Sequence, residues 1–195
     1  MNKPVNLFSK IVSTLFVPPI VTTLIMLAVI YYETNNPGQN YLKLVHTFTF
    51  GFIAPLVYFF ILRKLRIVND NDASNKTERF YPYLGGSIIC LFASAISYYY
   101  FDLSLYTVCW VNYFSIYLLL LLINNWWKIS SHTTNLAVAI PILISINSEY
   151  VYVFVLLLII LSFARLVLKA HTIPQVIGGA LFGIIITIVN FEILL

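Results

Sequence analysis

Residues 151–195 read VYVFVLLLIILSFARLVL, then KAHTIPQ, then VIGGALFGIIITIVNFEILL. Two apolar runs of helix length flank a short break with Lys169, His171 and Gln175, and Arg165 sits just inside the first run. Ionisable side chains at membrane depth are costly, so each is a functional hypothesis by default. Arg165 offers an anion a planar fork of donors. His171 can act as a nucleophile or a general base. Gln175 lies at i+4 from His171, on the same face once a helix has begun.

The rest of the chain has the same character. Of 195 residues, 61% are hydrophobic and only 9% charged, with mean hydropathy +0.91. A soluble domain carries about 25% charged residues. The composition therefore predicts an all-α integral membrane protein, a single domain over 1–195, whose partner is the lipid bilayer. The runs do not alternate with period two, which argues against an outer-membrane barrel. Cys90 and Cys109 both fall inside apolar runs and read as small packing residues, with no disulfide framework and no metal pair. The net charge of +4 provides no basic arm for nucleic acid. The first apolar run is long and has no small-residue cleavage site, so it is expected to stay as a helix.

A spanning helix needs about 20 largely apolar residues. The expected spans are 11–32, with a kink or late start at Pro18-Pro19, then 44–62, 82–100, 106–123, 133–147, 151–168 and 176–195. The fifth is short and contains Pro141, so the bundle has six or seven transmembrane helices. Gly179 and Gly183, four apart, suit close helix packing. A polar turn with Asn-Pro-Gly is expected over 33–40.

The polar breaks at 63–81, 124–131 and 165–175 are separated by one helical hairpin each. A hairpin returns the chain to the side it left, so all three share one membrane face. Ten of the eleven Lys and Arg residues fall on that face, and Lys43 alone on the other. As a topology signal this leans towards the cytoplasmic side. As chemistry, cations collect where an anion binds.

Each break holds candidate site residues. In the first, Lys76 and Arg79 are three apart and share a face if helical. In the second, Lys128 precedes Ser130, Ser131, Thr133 and Thr134, which are N-cap residue types before an apolar run, and His132 would project from that first turn. A helix N-terminus there suits phosphate. In the third, Thr172 is an N-cap candidate and Pro174 suits a first turn, with His171 beside them. Two histidines, several cations and two helix N-termini form a kit for phosphoryl transfer without metal. One histidine attacks phosphorus, the other protonates the leaving oxygen, and cations hold the phosphoryl oxygens. His46 lies near the far face and reads as structural.

The pattern resembles the type 2 phosphatidic acid phosphatase superfamily, membrane lipid phosphatases related to vanadium haloperoxidases, whose motifs are KxxxxxxRP, PSGH and SRxxxxxHxxxD. Ala164-Arg165, His171 and Gln175 match the third motif in spacing, Ile129-Ser130-Ser131-His132 the second, and Arg79 the arginine of the first, with Pro82 nearby. The resemblance spans about Arg63 to Gly183 with motif order kept. It implies a core like the acid phosphatase and haloperoxidase helical fold and a cofactor-free, metal-free phosphatase acting on a lipid phosphate in a bacterial cytoplasmic membrane. In that scheme His171 forms a phosphohistidine and His132 is the acid and then the base. Lys76, Arg79, Lys128, Ser130 and Arg165 hold the phosphate, and Gln175 orients His171. Polyprenyl diphosphate, phosphatidylglycerol phosphate and phosphatidic acid all present the required group.

The sequence also departs from the pattern. Asp72 stands where the motif lysine would be, with Lys76 or Lys128 to replace its charge. Ile129 replaces proline, Ser131 glycine and Ala164 serine. Gln175 replaces the aspartate that would stabilise a charged histidine, and a neutral hydrogen bond has roughly half the strength of a charge-assisted one. The alternative is therefore a weak or inactive relative that binds or translocates lipid phosphates. A magnesium-dependent transferase, suggested by Asn69-Asp70-Asn71-Asp72, lacks a second acidic cluster on the same face.

Overall fold

The computed structural model describes residues 3–33, 37–73 and 75–195, and the turn expected over 33–40 lies partly outside them. Among the described residues all regular structure is helical. The helices are α1 (Lys3–Leu15), α2 (Pro18–Tyr32), α3 (Pro37–Thr47), α4 (Ala54–Lys64), α5 (Phe80–Phe101), α6 (Leu105–Ile123), α7 (Ser131–Ser145), α8 (Val151–Val167) and α9 (Ile173–Leu194). A π-helical segment, Phe48–Ile53, joins α3 to α4, and a 3-10 turn, Thr77–Arg79, leads into α5.

Among the described residues, four helical stretches are long and apolar enough to cross a membrane: Gly38–Lys64, Thr77–Phe101, Leu105–Ile123 and Ile173–Leu194. The expected first span is broken where a kink or late start was expected, into α1 and α2, bent by 55°. The cause is Pro18. A proline lacks an N–H and clashes inside a helix but suits its first turn, so α2 starts there with extended Val17 before it. Counting the bent pair as one span gives five.

The expected fifth and sixth spans are the shorter helices α7 and α8. Fifteen residues make α7 about 22 Å long, against about 30 Å of hydrocarbon. Short of its exposed end at Ile144 and Ser145, this helix is buried on every side: Leu136, Ala137, Val138, Ala139, Ile142 and Leu143 are all inaccessible. A helix apolar all round belongs in the middle of a bundle, and α7 packs against α2, α8 and α9. Apolar residues of the outer helices, such as Ile159, Phe163, Ile185 and Ile193, face outward, as suits a lipid-facing surface.

Gly179 and Gly183 set how closely α9 lies on α7. A Cβ at Gly179 would meet the Ser130 carbonyl at 2.7 Å, and one at Gly183 would strike the Thr134 carbonyl. Backbone cannot yield as a side-chain tip can, so both positions require glycine. At the other end of the bundle, Ser104 caps α6 by accepting the Thr107 N–H at 3.3 Å, closing the α5–α6 hairpin.

Candidate functional site

The three polar breaks are tied together by hydrogen bonds. Lys128 Nζ donates to the Ala170 carbonyl at 3.1 Å, the Ser130 N–H to the Gln175 carbonyl at 3.2 Å, and Thr133 Oγ1 to the Val176 carbonyl at 3.2 Å. These bonds join the second break to the third. Lys76 Nζ donates to the Asn125 carbonyl at 2.7 Å, and Asn124 Nδ2 to the Lys76 carbonyl at 2.9 Å, joining the first break to the second.

Arg79, buried at 3% exposure, links all three. Its Nε donates to the Ala73 carbonyl and one terminal nitrogen to the Ile129 carbonyl, both at 2.9 Å. The other terminal nitrogen donates to His171 Nε2 at 3.4 Å. On its far side, His171 Nδ1 lies 3.2 Å from Gln175 Oε1. That oxygen also accepts the Thr172 N–H at 3.1 Å, which identifies it as the amide oxygen. His171 therefore carries its proton on Nδ1 and a lone pair on Nε2. Burial, and then the charges of Arg79, Arg165 and Lys128, push its pKa down to about 3. At neutral pH it is an uncharged base.

His132 lies in the first turn of α7, behind the Ser130 cap, and its Nε2 is buried without a partner. Asp72 Oδ1 is 4.0 Å from that nitrogen. Asp72 Oδ2 accepts from one terminal nitrogen of Arg165 at 3.0 Å, and the same nitrogen donates to Ser13 Oγ at 2.5 Å. Arg165 is fully buried, yet its Nε and second terminal nitrogen have no partner. Unmet buried donors on a guanidinium are costly. A bidentate anion is the ligand they match.

A cavity of about 310 Å³ runs from this cluster into the bundle. Its polar end is Asp72, Arg79, Ser131 and His132, and its walls include Phe50, Tyr58, Tyr83, Trp110 and Tyr117. Arg79 connects the cavity to His171, and Asp72 connects it to Arg165.

His171, His132, Gln175, Arg79 and Arg165 thus gather around one place, with Lys128 beside them. Lys128 is half-buried, and its pKa is lowered by burial and by the charges of Arg79 and Arg165. Two expected phosphate ligands are placed otherwise. Lys76 is half-buried and holds the Asn125 carbonyl. Ser130 is fully buried and its Oγ accepts the Thr133 N–H at 3.5 Å as the cap of α7. Backbone groups claim both side chains. Two residues not expected among the site residues join it: Ser13, near the start of the first expected span, and Asp72, read as a mismatch in a lysine position. The signal for Asp72 was its charge sign, an acid among cations.

Among the described residues, no group of three or more His, Cys, Asp or Glu side chains is arranged to hold a metal ion. In comparisons with known proteins, the chain matches no family model, no curated protein and no solved structure.

Proposed function

We propose that this protein is an integral membrane phosphatase that hydrolyses a lipid phosphate or diphosphate through a phosphohistidine, without metal. One observation carries the reading: Arg79 and Asp72 line the polar end of an apolar cavity, and behind them stand an uncharged histidine bonded to Arg79 and the unpartnered nitrogens of Arg165. The donors fit a phosphate and the cavity fits a hydrocarbon tail. The α7–α8 hairpin lies within the bilayer in this reading, giving six or seven crossings around a haloperoxidase-like core in a bacterial cytoplasmic membrane.

Substrate binding draws the Arg79 terminal nitrogen from His171 onto a phosphoryl oxygen and uncovers Nε2. Arg165 takes a second oxygen with its free fork, and Lys128 adds positive charge. His171 Nε2 attacks phosphorus as the bond to the lipid oxygen breaks, and His132 gives that oxygen a proton. Gln175 holds the Nδ1 proton but brings no charge to the phosphohistidine. Water then attacks phosphorus, His132 takes its proton, and the bond to His171 breaks. The cations stabilise the transition state electrostatically.

The test is phosphate release from a panel of lipid phosphates in detergent, with and without chelator, by the natural chain and by His171→Ala. Release that survives chelator and vanishes with His171 supports the mechanism. Equal release by both chains removes it. A second reading is a non-enzymatic lipid-phosphate binder, favoured by the uncharged Gln175 amide behind His171. In that case Gln175→Asp creates activity where the natural chain has none.

A further inference from the structure

His132 is a histidine among cations. It is buried, and two guanidiniums face it, Arg165 from α8 and Arg79 from the turn before α5, with the neutral His171 in the turn before α9. Ser13 of α1 lies beyond Arg165 and is uncharged. Such surroundings repel a proton. The proposed reaction nevertheless needs His132 to deliver one to the departing lipid oxygen. Lipid alkoxides are poor leaving groups, so the need is strict.

Among the described residues, one acidic side chain lies within 4.0 Å of a histidine in the site: Asp72, with Oδ1 at 4.0 Å from His132 Nε2. The other acids nearby are committed. Glu78 accepts from Asn69 N at 3.0 Å and Asn69 Nδ2 at 2.6 Å. Asp70 Oδ1 accepts the Asp72 N–H at 2.8 Å, which helps fix the carboxylate's position. Ala73, next in the chain, takes a left-handed φ of 45°, and its carbonyl is held by Arg79 Nε at 2.9 Å. The loop is thus built to present Asp72 to the cluster.

We propose that Asp72 is the counter-charge that keeps a proton on His132, so that the carboxylate absent behind the attacking histidine stands instead beside the proton-donating one. Asp72 is a positioning residue acting through His132, and this role rests on the phosphatase reading above. Two features distinguish it from a plug occupying the phosphate position. Asp72 takes only one terminal nitrogen of Arg165, end-on, and leaves Nε and the other terminal nitrogen bare for a bidentate anion. At 4.0 Å the carboxylate is too far from Nε2 to accept its proton in a hydrogen bond, so the proton stays free to reach the leaving oxygen. In the first step the phosphorus–oxygen bond breaks, the phosphorus–Nε2 bond to His171 forms, and the proton moves from His132 Nε2 to the lipid oxygen. In the second, water supplies an oxygen to phosphorus and a proton to His132, and the bond to His171 breaks. Asp72 remains a carboxylate throughout.

The test compares a long-chain alkyl phosphate with p-nitrophenyl phosphate on the full chain in detergent, using Asp72→Asn and Asp72→Glu. A nitrophenolate leaves without a proton. Asp72→Asn is expected to cut alkyl phosphate turnover on the order of 10²-fold and nitrophenyl turnover by less than about tenfold, with Asp72→Glu recovering part of the difference. Equal losses on both esters would overturn the proposal, and so would faster alkyl phosphate hydrolysis by Asp72→Asn, the mark of a displaced plug. If the natural chain hydrolyses neither ester, the phosphatase reading fails, and a direct titration decides the pairing. Ring-labelled histidine NMR should then show the His132 pKa falling by about one to three pH units in Asp72→Asn. An unchanged His132 titration overturns the pairing. Should Asp72→Asn not fold, Asp72→Glu against the natural chain reads the same leaving-group contrast.

Discussion

The two ends of the α5–α6 hairpin both bury charge, but they resolve it differently. At the Phe101 end, Lys43 Nζ meets Glu33 Oε2 at 2.6 Å, with side chains only 5% and 17% exposed. Glu33 Oε1 also accepts the Tyr106 N–H at 3.3 Å. The Tyr106 hydroxyl donates to the Lys43 carbonyl at 3.0 Å and accepts from Thr47 Oγ1 and His46 Nδ1, each at 2.8 Å. That uses one donor and two lone pairs, the full capacity of a hydroxyl. At the Arg79 end, two buried guanidiniums and a lysine surround Asp72, and nitrogens of Arg165 and His132 stay unbonded. Balanced charge holds helices together, whereas surplus donors match the anion proposed above. Burial alone does not separate the two cases, but the partners of the charged side chains do: Lys43 meets Glu33, while two Arg165 nitrogens meet nothing.

Substitutions at the two ends should therefore have separable effects. The largest is His171→Ala, expected to cost lipid phosphate turnover on the order of 10⁴-fold or more while the chain stays folded, as phosphate release and thermal melting in detergent would show. Glu33→Gln should do the reverse. It strands a buried ammonium and is expected to destabilise by about 3–5 kcal/mol, while phosphate release per folded molecule is unchanged. A Glu33→Gln chain with normal stability but slowed chemistry would break the comparison.

Smaller effects sharpen it. Arg79→Lys keeps the charge but not the fork, and should lower kcat by about 10²–10³-fold. Gly183→Ala pushes a methyl onto the Thr134 carbonyl, so α9 must move off α7. About 1–3 kcal/mol of stability should be lost, with activity falling as His132 and His171 shift apart. Smallest is the response to pH. With its pKa at about 3, His171 stays neutral and nucleophilic as pH falls from 7 to 5. An ordinary histidine near 6.5 would lose about thirty-fold of its neutral form at pH 5 relative to full deprotonation, and a rate profile of nitrophenyl phosphate hydrolysis distinguishes the two. The same depression has a stability sign. The unfolded chain binds the proton first as pH drops below 6.5, so His171 makes the fold progressively less stable from there down to about 3.

Much of the fold was legible because hydropathy and length are local properties. The hairpin of Phe80–Phe101 and Leu105–Ile123 lies within two residues of its expected ends. The break at Pro18 was legible for the same reason, since a proline's missing N–H is local, whereas α7 as a buried core helix depends on which neighbours cover it. The same division holds in the site. His171 and Gln175 meet through i+4 spacing, which a sequence displays directly. Asp72 reaches His132 only because Ala73 turns left-handed and the Asp70 carboxylate takes the Asp72 N–H. Ser130 and Lys76 bond backbone groups here, because hydroxyls and ammoniums serve backbone groups as readily as phosphates. Spacing cannot say which partner arrives first.

Arg79 has a consequence for how occupancy could be sensed from outside. The guanidinium that touches His171 also fastens the Ala73 and Ile129 carbonyls, so the loop carrying Asp72 is anchored through the same side chain that a phosphate would engage. Filling the site and tightening that loop become one event. A protease cutting near residues 66–73 would then act as a gauge of ligand binding, slowing as vanadate is added, with no turnover needed.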